Sequence, residues 1–267
     1  MTRPGGVRPA AVAGAFYPAR PDALRRAIAD AFDDAKAPSP GAPPPKALVV
    51  PHAGYIYSGA VAASAYLRVA PARGTIRRVV LLGPNHRVPL AGMALSSADA
   101  FATPLGLVQV DDDARTRALA LPSVSIDDTA HALEHSLEVQ LPFLQTVLGD
   151  VSVLPVVVGQ CVTADVVALL DELWGGPDTV VVVSTDLSHY HRYAEAVALD
   201  RRTIAEVAAL HAEGVGDLDA CGAYPLRGLL AAARARHLPA EVLDVRNSGD
   251  TAGDRERVVG YGAVAVG

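Results

Sequence analysis

VVPHAGYIYSGAVAASAY, Val49 to Tyr66, interrupts a β-branched apolar run with Pro51-His52 and then resumes as a stretch of small residues. A continuous apolar run bounded by proline or glycine reads as a strand buried on both faces. The small-residue stretch, from about Ser58 to Val69, reads as the helix that follows it. In open α/β sheets ligands bind beyond the carboxyl ends of such strands, so His52 falls where chemistry is expected. A lone histidine after a strand is more often a hydrogen-bonded structural residue. A functional reading needs other strands that deliver matching groups to the same edge.

Working outward, TIRRVVLLGPNH repeats the pattern, with a strand over about Arg77 to Leu82 and then His86. VSVLPVVVG, 151 to 159, is a third buried strand with the helix TADVVALLDELW behind it. TVVVVSTDLSHYH gives a fourth, 179 to 184, followed directly by Asp186 and His189. EVLDVRNSGD and RVVGYGAVAV read as a closing pair of strands, with Ser248, Gly249 and Asp250 in the loop between them. Helical spacing predicts further helices over Asp22 to Asp34, near Asp112, from Ser136 with a kink at Pro142, over Ala194 to His211 and over Pro225 to Arg236. Two short strands near residue 100 turn at Pro104 to Gly106, and the proline-rich run 37 to 46 reads as a surface loop. Strands alternating with helices imply a mixed, mainly parallel sheet covered on both faces. The expectation is an α/β/α sandwich forming a single domain over residues 1–267.

The whole-chain numbers exclude several classes. A formal charge of −6, with 23 basic against 29 acidic side chains, gives no footprint for a nucleic-acid backbone. No apolar run of about 20 residues is present, so no membrane span is expected. Cys161 and Cys221 lack CxxC spacing and read as buried small hydrophobes in a reducing, cytoplasmic setting. SGDTAGDRE is glycine-bearing but lacks the GxxxxGK[ST] pattern of a phosphate loop.

Four strand ends thus bring His52, His86, the Asp186/His189 pair and Asp250 towards one edge. Two neutral imidazoles and a carboxylate with open positions make the facial triad of non-haem Fe(II) sites, which His52, His86 and Asp250 fit. Asp186 and His189 then serve as orienting or acid/base groups, although Asp186 could equally cap its loop. Tyr55, Tyr57 and Tyr190 flank the site, as substrate contacts or as packing. A rival signal is His131-Ala132-Leu133-Glu134-His135, which matches the HxxEH spacing of a zinc peptidase. Its position at a helix start leaves the two imidazoles free to face apart. Glu134, His135 and Glu138 read better as polar groups of the cleft or as helix caps.

PHAGYIYSGAVAASAY, LLGPNHRV, EHSLEVQLPFLQ, LPVVVGQ, STDLSHY and SGDTAGDRERVVGYGAVA together resemble the Memo family, in its prokaryotic branch called AmmeMemoRadiSam system protein B. The resemblance runs from VRPAAVAGAFYPA, near residue 7, to the last strand. It implies a fold similar to the class III extradiol dioxygenases of the LigB type, which use non-haem Fe(II), with Cu or Zn as alternatives here. By resemblance His52 and His86 are metal ligands, and Asp186 and His189 line the cleft with His135 in support. The third ligand in the eukaryotic branch is a cysteine before the last strand, and this chain has no cysteine after Cys221. Asp250, or Thr251 if the alignment shifts by one, takes that place. The resemblance implies an oxidoreductase acting on a small-molecule or peptide substrate. It also implies association with an AMMECR-type protein and a radical-SAM enzyme; a metal-binding protein without catalysis is the alternative.

Overall fold

A computed structural model describes residues 6–39 and 41–267. Its elements run β1 (Val7–Arg8), α1 (Pro21–Asp33), β2 (Ala47–Val50), α2 (Tyr55–Val69), β3 (Arg78–Pro84), β4 (Met93–Leu95), β5 (Ala100–Thr103) and β6 (Gly106–Val110). They continue with α3 (Asp112–Ala118), β7 (Val124–Ile126), α4 (Asp128–Ala132), α5 (Leu141–Leu148), β8 (Ser152–Val158) and α6 (Thr163–Leu173). The last are β9 (Thr179–Ser184), β10 (His189–His191), α7 (Tyr193–Ala208), α8 (Ala223–Ala235), β11 (Ala240–Asn247) and β12 (Val258–Val266).

The described strands form one 12-stranded mixed sheet in the order β1-β5-β6-β8-β3-β9-β2-β12-β10, with β11 on β12 and β4 on β8 and β7. At its centre β8, β3, β9 and β2 are mutually parallel, with Val50 beside Ser184 and Leu82 beside Val183. Their alternating side chains feed two cores, as a strand buried on both faces must. Leu48, Val50, Leu81 and Val182 pack under α1, α2 and α5. Ala47, Val49, Leu82 and Val183 pack under α3, α6 and α8. The expected α/β/α arrangement is therefore what the chain builds. No helix among the described residues is long and apolar enough to cross a membrane.

Two local expectations are corrected. The helix expected from Ser136 begins at Leu141, after a single 3-10 turn at Glu138–Gln140. Pro142 does not kink it but sits in its first turn, where a missing N–H costs nothing. The stretch from Leu133 to Leu137 is consequently irregular, and it folds over the ends of β3 and β9. Gly83 permits that approach, because a Cβ there would lie 2.7 Å from the Ser136 hydroxyl.

Candidate metal centre

The ends of β2 and β3 present His52 and His86, and the irregular stretch after α4 lays His135 beside them. One nitrogen from each of the three imidazoles lies within 4.8 Å of the others. The His86 and His135 rings stack at 4.6 Å, and Phe16 packs against His135 at 4.5 Å.

Hydrogen bonds fix which nitrogens carry protons. The Ser184 hydroxyl donates to the Ser136 carbonyl at 2.6 Å and accepts from the Gln140 side-chain amide at 2.9 Å. Its only remaining role towards His52 Nδ1, at 2.9 Å, is as acceptor, so Nδ1 is protonated and Nε2 keeps its lone pair. Gln140 is itself oriented, because its Oε1 accepts from the Tyr66 hydroxyl at 2.9 Å. At His86 the carboxylate of Glu134 accepts from Nδ1 at 2.9 Å and from the backbone N–H at 2.7 Å, which again leaves Nε2 free. The buried Nδ1 of His135 makes no hydrogen bond among the described residues and lies 3.4 Å from the Glu134 carboxylate.

Burial, reinforced by the neighbouring His86, pushes His52 down to about 3, and burial with the other two imidazoles lowers His135 as well. Both are neutral at pH 7, the state a metal requires. Burial would raise Glu134, but hydrogen bonds from His86 and Ser136 outweigh it and hold its carboxyl well below the ordinary carboxylate range. A carboxylate that orients a ligating imidazole is the usual outer partner of a metal site. Three imidazoles whose nitrogens converge, with a carboxylate that orients one of them, fit a divalent transition metal.

Asp186, 4 % exposed, accepts from the His52 backbone N–H at 2.7 Å, and burial lifts its carboxyl to about 6. His189 donates Nδ1–H to the Leu187 carbonyl at 2.8 Å and lines the same cavity. That cavity, of about 800 Å³, has Phe16, Tyr57, Tyr190 and Tyr261 among its walls. Tyr55 instead turns inward to the Val139 carbonyl.

Asp250 is not brought to the imidazoles. Its carboxylate accepts from the Tyr193 hydroxyl at 2.6 Å and from the Asn247 N–H at 3.0 Å, capping the single turn Ser248–Asp250. Thr251 bonds the Ser248 carbonyl instead. The third converging group is thus His135, expected only in support. The HxxEH pair does not share a face: His131, 1 % exposed, bonds the Ala94 carbonyl and packs edge-on to Phe101. Glu138 does not face the cleft, because Arg8, Tyr17 and the N–H groups of Ala11 and Val12 surround it. Sequence reasoning missed the orienting roles of Glu134, Gln140 and Ser184. For Gln140 and Ser184 the signal was only polar character within an otherwise apolar run, whereas Glu134 was read as a polar group of the cleft or as a cap.

A mixed α/β sheet carrying a three-imidazole group at the ends of its central parallel strands defines a class of candidate metalloprotein. The chain belongs to the Memo family: the family profile described as Memo-like protein matches residues 8–265. A MEMO1 family protein of Methanopyrus kandleri is 38 % identical over 96 % of this chain and 98 % of its own length. Those of Sulfolobus acidocaldarius and Aquifex aeolicus are each 37 % identical, over 98 % and 96 % of this chain and 99 % and 97 % of their own lengths. Among solved structures, the uncharacterized protein JW3007 of Escherichia coli K12 shares the fold with a TM-score of 0.57 at 15 % identity, covering 83 % of this chain and 99 % of that one.

Proposed function

We propose that His52, His86 and His135 hold a divalent cation, iron(II) in the first instance with copper or zinc as alternatives, and that the cavity beside it is the active site of an oxidoreductase. The observation that carries this reading is the convergence of three imidazole nitrogens within 4.8 Å, two of them left free by their hydrogen bonds. His52, His86 and His135 would hold the ion, which as iron(II) would supply the activation of O2 and of a chelating substrate. The chain's own residues do the rest. Phe16, Tyr57, Tyr190 and Tyr261 receive an aromatic or apolar body and exclude water. His189, its ring oriented by the Leu187 carbonyl, is the side chain placed to move a proton from a substrate hydroxyl. Asp186 holds the His52 backbone in place.

Anaerobic purification with Fe(II), followed by oxygen-uptake screening on a panel of catechols, tests this reading. Uptake that disappears in His189→Ala supports the enzyme. Metal binding without uptake across the panel supports a protein that sequesters or delivers the metal. Under either reading we place it in a reducing, cytoplasmic compartment, in association with an AMMECR-type protein and a radical-SAM enzyme; copurification checks the association.

A further inference from the structure

We propose that the cavity beside the three imidazoles takes a substrate that carries a carboxylate, and that Arg257 in its wall is the residue that anchors that group. The inference rests on the cavity being the substrate site and names the class of substrate it takes. Arg257 is the one arginine or lysine among the described residues that line the cavity. Of its nitrogens only the backbone N–H is bonded among the described residues, to Asp254 at 3.3 Å, so the charged end of its side chain is free. Neighbouring arginines are engaged: Arg246 pairs with Asp244 at 2.8 Å, Arg192 with Glu256 at 3.4 Å, and Arg87 donates to the Leu133 carbonyl at 3.2 Å. The two carboxylates of the same wall are also occupied. Asp254 accepts from the N–H groups of Glu256 and Arg257, and the buried Asp186 accepts from that of His52.

The backbone beside Arg257 is built to hold the guanidinium there. Between His189 and His191 the pairing of β10 with β12 slips by one residue, and Tyr190 is the extra residue of that bulge. Bulges re-aim side chains and recur beside active sites. Tyr190 has φ 63°, in the left-handed region that an aromatic residue rarely adopts, and such strain persists at ligand clamps where the surroundings enforce it. Its ring, 62 % exposed, meets the His189 imidazole edge-on at 5.7 Å and carries the Arg257 guanidinium 5.0 Å from its centroid. A guanidinium resting on a ring keeps its N–H groups for a further partner, and its planar fork matches a carboxylate through two parallel hydrogen bonds. One guanidinium balances one negative charge, which suits a carboxylate better than a phosphate of charge roughly −1.5 to −2. The substrate thus sets its chelating oxygens at the imidazole end and its carboxylate at Arg257, with the aromatic walls around the body between them.

Calorimetric titration of the zinc-loaded protein, in which a catechol binds without turnover, tests this with dihydroxyphenylacetate, its neutral amide and dihydroxybenzylphosphonate. We expect wild type to bind the acid about 10-fold more tightly than the amide, and the phosphonate no more tightly than the acid. Arg257→Gln should bring acid and amide to equal affinity. Arg255→Gln should keep the preference, because Arg255 rests on Tyr193 and does not line the cavity. Tyr190→Gly, which accepts the left-handed backbone and removes the ring, should lower the ratio of acid to amide affinity. Equal affinities in wild type, a preference that survives Arg257→Gln, or tighter binding of the phosphonate would overturn this inference while leaving the metal site standing. Elemental analysis of each sample separates the two readings. Zinc retained with none of the probes bound overturns the substrate cavity alone, whereas wild type that holds no zinc overturns the metal-binding reading and this inference with it.

Discussion

A buried imidazole serves a cation only if the nitrogen facing it carries no proton, and at His52 a hydrogen-bonded chain through Tyr66, Gln140 and Ser184 makes that choice. Ser184→Ala removes the acceptor for Nδ1–H, and we expect it to weaken metal binding by about 10- to 100-fold, the usual cost of losing an orienting partner. Competition against a chromophoric chelator measures this; unchanged affinity would show that the chain is only packing. His131→Ala should leave metal stoichiometry intact, since its imidazole is spent on the Ala94 carbonyl, whereas a peptidase site would lose its metal. His52 and His86 were legible because strand ends have a topological meaning that composition alone reveals. His135 was not, because its place depends on an irregular loop rather than on any period. Asp250 lies outside the three-imidazole group for a local reason: its carboxylate caps its own turn.

The element that holds His135 in place is the N-terminal arm, residues 7–17. Arg8 binds the carbonyls of His131 and Glu134 while pairing with the fully buried Glu138, and Phe16 covers His135. Arg8→Ala would strand the Glu138 carboxylate in the core, which costs about 3–5 kcal/mol. Denaturant unfolding should show that loss together with weaker metal binding, since the loop bearing Glu134 and His135 loosens with it; a loss under about 0.5 kcal/mol would mark the arm as dispensable. The central strands and most helices were readable from runs and spacing, because β2, β3, β8 and β9 are buried on both faces and α1 and α6 each bury a helical stripe. The start of α5 was misread because LEVQLPFLQ continues a helical pattern through a segment that Gly83 lets lie against β3 instead.

For the whole molecule, buried neutral histidines make stability pH-dependent. Burial lowers His52 to about 3 and His131 to about 4, and it lowers His135 too, whereas all three titrate near 6.5 when unfolded. Below that value the unfolded chain binds more protons than the folded one, so stability falls with acidification, by up to about 1.4 kcal/mol per pH unit for each imidazole. Asp186, raised to about 6 by burial, acts in the opposite direction between about pH 6 and its unfolded value near 3.9, but one carboxyl opposes three imidazoles. The metal-free protein should therefore lose melting temperature steadily from pH 6.5 to pH 4.5; a flat profile would mean that these rings take up protons in the folded state. The central claim is tested most directly by elemental analysis of anaerobically purified wild type, His52→Ala, His86→Ala, His135→Ala and Asp250→Ala. Near-stoichiometric metal in wild type and Asp250→Ala, with loss in each of the three histidine variants, is the predicted result. Metal retained in His135→Ala and lost in Asp250→Ala would contradict it.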